Sequence, residues 1–162
     1  MHILLTRPLE DSKELILRFS SLGHNVSHLP VIKIEPIKYD EPEYSQFKGV
    51  IFTSSNAVKN LDLTKVDKKI ECYCVGSATE KVAKLNGFQN IISAEGNVNN
   101  LKELILQNFD SKNGSLLYVS GEVVSSRLDK DLIAEGYSLK RFINYTVSST
   151  LEIKEEFRAE LK

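Results

Sequence analysis

Gly49-Val-Ile-Phe-Thr-Ser-Ser-Asn-Ala-Val58 is the stretch on which the fold turns. Val50, Ile51, Phe52 and Thr53 are β-branched or aromatic and suit a buried strand. Ser54, Ser55 and Asn56 are small and polar. Ser55 or Asn56 suits a helix cap, after which Ala57, Val58 and Leu61 fall at helical spacing. A buried strand thus runs into a helix start through a short hydroxyl-rich loop. Unpaired amides and the positive end of the helix dipole favour anions at such a start.

The same unit recurs downstream. Ile70 to Val75 reads as a strand, Gly76-Ser77-Ala78-Thr79 as its exit, and the next residues as a helix carrying Val82, Ala83 and Leu85 that stops at Asn86-Gly87. Asn90 to Ser93 is a strand, Glu95-Gly96-Asn97 a turn, and Val98 to Asn108 a helix built on Leu101, Leu104 and Ile105. Ser115 to Val119 is a strand that ends in Ser120-Gly121. Val124 to Glu135 is a helix stopped by Gly136, and Tyr137 to Val147 is extended. The helix after the opening stretch is expected from Ser55 to about Leu63.

Upstream, Ile3 to Thr6 is a strand broken by Arg7-Pro8. Leu9 to Leu22 is a helix with Leu15, Ile16, Phe19 and Leu22 as its stripe and Gly23 as its stop. Asn25 to Leu29 and Val31 to Pro36 are extended on either side of Pro30. Lys38 to Ser45, with Asp40, Glu41, Pro42 and Glu43, reads as a linker. Leu151 to Lys162 carries Ile153, Phe157 and Leu161 every fourth residue, the pattern of a helix with a narrow apolar stripe.

Strand, small polar loop and helix in repetition predict an α/β fold: a doubly wound, mostly parallel sheet with helices on both faces and right-handed crossovers. Ligands bind such sheets at the carboxyl ends of the strands. The polar loops there are Thr6-Arg7, Ser54-Ser55-Asn56, Gly76 to Thr79, Gly96-Asn97 and Ser120-Gly121.

Of 162 residues, 41% are hydrophobic, enough for a packed core of domain size. The 21 basic and 22 acidic residues leave a net charge of −1, so no global electrostatic case exists for nucleic acid or an anionic membrane. No apolar run approaches the length of a membrane span. The start lacks the basic head and apolar middle of a signal peptide, which predicts a cytoplasmic protein. Cys72 and Cys74, two apart on a strand, are expected to share a face opposite Tyr73 as buried thiols.

The phosphate-loop pattern G-x-x-x-x-G-K-[ST], the dinucleotide pattern G-x-G-x-x-G and the nucleophile elbow G-x-S-x-G are all missing. His2, His24 and His28 are the only histidines and form no metal or triad pattern. What remains is a set of loops rich in hydroxyls, glycines and helix-start amides. Taken singly they are ordinary caps and turns. Gathered at one end of one sheet, they suit a ligand with several anionic groups.

These motifs, in order, resemble uroporphyrinogen-III synthase. Ile3-Leu-Leu-Thr-Arg-Pro8 is similar to the family's opening, and Leu29-Pro-Val-Ile-Lys-Ile-Glu-Pro36 to its second-strand exit. The Phe52-Thr-Ser54 stretch, Val75-Gly-Ser-Ala-Thr79, Leu85-Asn-Gly-Phe88, Gly96-Asn97 with Leu101, Leu116 to Gly121 with Leu128 and Gly136, and Tyr145-Thr-Val147 continue the match. The family's usual chain runs on further, with a second Ser-Pro-type loop and a second Gly-x-x-Thr helix start that these residues lack. The resemblance therefore implies a contiguous domain over 37–145 and only part of a second, from 1–34 and 148–162.

The resemblance also implies the chemistry. Hydroxymethylbilane would lose water, invert its ring D and close to uroporphyrinogen III, without metal or organic cofactor, on a monomer with mobile domains. Tyr145 occupies the position of the family's proposed proton donor. Thr6, Arg7, Ser54, Ser55, Asn56, Gly76, Thr79, Gly96, Asn97, Ser120, Gly121 and Arg127 would meet the substrate carboxylates, largely through backbone groups. A non-catalytic α/β module that binds an anionic small molecule is the alternative.

Overall fold

A computed structural model of the chain describes residues 1–150. The helix expected over Leu151 to Lys162 lies outside the described residues. The chain divides into two compact units, one of Met1–Glu35 with the chain from Val147 onward, the other of Pro36–Thr146.

In the first unit, β1 (His2–Leu5) and β2 (Asn25–His28) pair in parallel, joined by α1 (Leu9–Ser21). Leu15, Ile16 and Phe19 are half-buried, as a stripe requires. Leu22 is 62% exposed, because it sits at the cap beyond the last full turn rather than in the stripe. Gly23 turns the chain out of α1 at φ 77°, a left-handed conformation that favours glycine. β3 (Ile32–Pro36) follows.

The second unit holds β4 (Phe47–Phe52), α2 (Ser55–Lys59), β5 (Glu71–Val75), α3 (Ser77–Leu85), β6 (Asn90–Ala94), α4 (Val98–Asn108), β7 (Ser115–Gly121), α5 (Leu128–Ala134) and most of β8 (Leu139–Ser149). The sheet order is β3-β8-β7-β4-β5-β6. Every pairing from β8 to β6 is parallel. β3 runs against β8: the Ile37 amide donates to the Asn144 carbonyl, and the Thr150 amide to the Val31 carbonyl. This is the mostly parallel α/β sheet that the alternating elements predict.

Strand alternation sends side chains to both faces. On one face Leu101 and Ile105 of α4 and Leu128 and Leu132 of α5 pack with Ile51, Tyr73, Leu116 and Tyr118. Val50, Phe52, Cys72, Cys74, Leu117 and Val119, at the alternate positions, are also buried. Cys72 and Cys74 share that second face as free thiols with sulfurs 3.7 Å apart. Burial of apolar surface on both faces is the main stabilising term for such a sheet. Among the described residues, the buried apolar side chains all belong to this second unit.

Several local expectations are corrected. α2 spans five residues rather than reaching Leu63. Asn60 turns its amide back to the Asn56 carbonyl at 2.8 Å, and Asp62 caps a 3-10 turn over Leu63–Lys65. Such side-chain bonds compete with helix continuation. The cap of α2 is Ser54, one residue before the expected positions. Lys38 to Ser45 is no free linker: Tyr44 is 8% exposed, and the Tyr39 ring meets Phe142 edge-on at 4.6 Å. α5 starts at Leu128 rather than Val124, since a β-branched pair followed by Ser125-Ser126 favours a loop. Leu85 is exposed at the end of α3 rather than buried. Among the described residues, no helix is long and apolar enough to cross a membrane.

Candidate functional site

Because the strands from β8 to β6 are parallel, their carboxyl ends lie along one edge of the sheet. The sheet order sets the sequence of groups there: Tyr145 of β8, Ser120-Gly121 of β7, Thr53 to Asn56 after β4, Gly76 after β5, and Gly96-Asn97 after β6. Sequence-distant loops are thereby gathered into one row.

The helix starts along this row differ in what they leave open. Ser54 Oγ accepts the Asn56 amide at 3.2 Å, which closes part of the α2 start. Asn97 Oδ1 accepts the amides of Asn99 and Asn100 at 2.9 and 3.2 Å, which closes part of the α4 start. Gly76 caps α3 with no side chain, at φ 79°, while its own amide donates to the Ala94 carbonyl at 3.0 Å. The first amides of α3 thus lack a side-chain cap and lie at the positive end of the helix dipole.

Burial separates the remaining candidates. Thr79 is 4% exposed within α3, and Ser120 is 1% exposed at the end of β7. Their side chains lie in the interior. Gly121 is buried as well, so Ser120-Gly121 is the last part of a strand and not an open loop. Ser54, Ser55, Asn56 and Gly76 are half-buried, while Gly96, Asn97 and Arg127 are exposed. Asn97 and Arg127 line one cleft of about 520 Å³, with Lys102, Ser125, Ser126 and Asp131. Thr6 and Arg7 belong to the first unit and are exposed there. The Arg7 carbonyl accepts from Ser12 Oγ and His28 Nε2.

Tyr145 is 8% exposed, and its ring lies against Gly121. A bulge decides this placement. The register runs from Ser120 opposite Ile143 to Gly121 opposite Tyr145, leaving Asn144 as an extra residue. Asn144 and Tyr145 are therefore both buried, where strict alternation would have exposed one. The Asn144 amide nitrogen donates to the Ala57 carbonyl in α2 at 2.8 Å, and its Oδ1 has no partner among the described residues.

Three groups at this edge escape a reading by loops. Tyr118 reaches Thr53 Oγ1 through its hydroxyl at 3.3 Å, and burial holds its phenol above the usual tyrosine range. Asn144 carries no sequence signal of its role. Arg141 donates from Nε to Ser120 Oγ at 2.9 Å and from Nη2 to the carbonyls of Gly121 and Glu122 at 2.9 and 3.0 Å. It lies near the start of β8, opposite Tyr118, and only the length of its side chain brings its charge to the edge.

A family model described as uroporphyrinogen-III synthase HemD matches residues 13–162. The chain is similar to the solved uroporphyrinogen-III synthetase from Helicobacter pylori 26695, at 18% identity and a TM-score of 0.64, over 99% of this chain and 67% of that one. It is also similar to a mutant uroporphyrinogen III synthase from the extremely thermophilic bacterium Thermus thermophilus, at 15% identity and a TM-score of 0.56, over 93% of this chain and 64% of that one. The chain thus spans about two thirds of the length of these structures, and the likeness is one of fold. Among curated proteins, none matches the chain.

Proposed function

We propose a function from the premise that the chain belongs to the uroporphyrinogen-III synthase family. Its place is in tetrapyrrole biosynthesis. The reaction is dehydration and cyclisation of hydroxymethylbilane to uroporphyrinogen III, with ring D inverted. The observation that carries the reading is the single row of hydroxyls, helix-start amides and one tyrosine along the carboxyl edge.

The substrate is flexible and carries many carboxylates. Backbone amides at the uncapped start of α3, with Gly76 before it, suit carboxylate oxygens. Ser55, Asn56, Gly96, Asn97 and Arg127 add polar contacts at the same edge. Thr6 and Arg7 belong to the first unit. Holding the chain in a near-cyclic shape lowers the entropic part of the barrier. The Tyr145 hydroxyl, with no hydrogen bond to another described residue, is free to donate to the departing hydroxyl, which leaves as water. Thr79 and Ser120 act from the interior by shaping the edge. The contiguous domain is 37–145, and the setting is the cytoplasm, on a monomer.

The test is an isomer assay. Hydroxymethylbilane generated in place closes by itself to the type I isomer. With this protein present, oxidation and separation of the products should give type III. Type I alone would remove the proposed activity from this chain.

A further inference from the structure

The charge of Arg141 lacks a counter-ion. Its Nε and Nη2 hold one hydroxyl and two backbone carbonyls, all of them neutral. Among the described residues no carboxylate pairs with it. The acidic residue it does touch, Glu122, offers it a carbonyl, while the Glu122 carboxylate accepts from Thr146 Oγ1 at 2.8 Å. Nη1 makes no hydrogen bond to a described residue. Arg141 is half-buried, so its charge is only partly relieved by water. Two other cations of the edge stand differently: Lys102 has Glu135 at 3.4 Å, and Arg127 is exposed and lines a cleft with Asp131.

A guanidinium fixed on three sides by neutral oxygens is rigid and aimed. Nη1 keeps two N–H donors for a carboxylate oxygen, and little side-chain entropy remains to be lost on binding. It sits at the end of β7, beside the Gly121–Tyr145 pair. We propose that Arg141 is a direct anchor for a carboxylate of the ligand at this edge, placed to set that ligand against Tyr145. The identity of the ligand as a carboxylated tetrapyrrole rests on the function proposed above.

The probe is uroporphyrin III, the oxidised product, titrated by its fluorescence into the wild-type chain, Arg141→Gln and Arg141→Lys. Loss of a charge-assisted pair should raise the dissociation constant of Arg141→Gln about tenfold or more, with partial retention in Arg141→Lys. Unchanged dissociation constants with a lowered melting temperature would make Arg141 a strand-end tie and overturn the proposal. So would a wild-type chain that does not bind the porphyrin. Should Arg141→Gln not fold, phenylglyoxal adducts mapped on the wild-type chain decide. Modification of Arg141 that uroporphyrin III blocks supports the anchor; equal modification with and without porphyrin, or none, overturns it. A wild-type chain that binds the porphyrin but yields only the type I isomer removes the activity and leaves the anchor standing. One that yields type III while Arg141→Gln binds normally removes the anchor alone.

Discussion

The Tyr145 ring lies so close over Gly121 that a Cβ on Gly121 would stand 2.7 Å from Cε2 and Cζ and 3.0 Å from the hydroxyl oxygen. Only a residue without a side chain lets the ring rest there. Gly121→Ala is therefore expected to displace Tyr145 from the end of β7. Overpacking of this kind costs about 1–3 kcal/mol. Denaturant unfolding should show that loss, and formation of type III product should fall further than the loss of folded protein explains.

Tyr145→Phe removes a hydroxyl that bonds no other described residue and keeps the ring against Gly121. Stability should change by no more than about 0.5 kcal/mol. Loss of a general acid is expected to reduce turnover about a hundredfold. Turnover at the wild-type rate would withdraw the role from Tyr145.

Asn144 serves the far side of the same bulge. The Ala57 carbonyl, near the end of the short α2, takes the Asn144 amide, since the Leu61 amide turns to Val58 instead. Asn144→Leu leaves that carbonyl buried and unsatisfied, at a cost of about 1–3 kcal/mol. Amide exchange should quicken in α2 before it does in β5 or β7.

Gly76 sits at φ 79°, yet a Cβ there would meet nothing within 4 Å. The cost of Gly76→Ala is thus conformational and not steric, about 1–3 kcal/mol, because ψ 152° places it in a region open essentially to glycine alone. A melting temperature equal to that of the wild-type chain would contradict the left-handed turn between β5 and α3.

Alkaline pH should unfold the second unit. Burial raises the phenols of Tyr44, Tyr73 and Tyr118 above their ordinary value, and the Tyr73 hydroxyl also donates to Glu71 Oε2 at 2.5 Å. The folded state therefore holds these protons more tightly than the unfolded chain does. Their contribution is fully present below the unfolded value of about 10 and is lost as the pH rises above it. Stability measured across that range should fall, with tyrosinate absorbance appearing together with unfolding and not before it.

The alternation of strand, polar loop and helix was legible because each element carries its own period. Val50 to Phe52 read as buried strand, and Leu101 with Ile105 read as a helix face, whatever surrounds them. The ends of elements were less legible. α2 stops early because Asn60 and Asp62 find backbone partners, and Tyr44 is buried although its neighbours are acidic and proline-containing. The bonds of Asn60 and Asp62 are local but depend on rotamer choice, while around Tyr44 contacts distant in sequence, the Tyr39 ring on Phe142 and the Asp62 amide on the Tyr39 hydroxyl, outweigh local composition.

Residue order alone determined the α/β class, the mostly parallel sheet with helices on both faces, and the family, because periodicity and short motifs are local and survive reading one stretch at a time. Tertiary structure decided which of the candidate groups reach the edge. It buried Thr79 and Ser120, left the start of α3 without a side-chain cap, and carried the charge of Arg141, near the start of β8, to the end of β7. It also turned Tyr145 onto Gly121 through one extra residue in β8. A bulge is a property of two paired strands, and burial is a property of the whole core. Neither has a signature within the residues that undergo it.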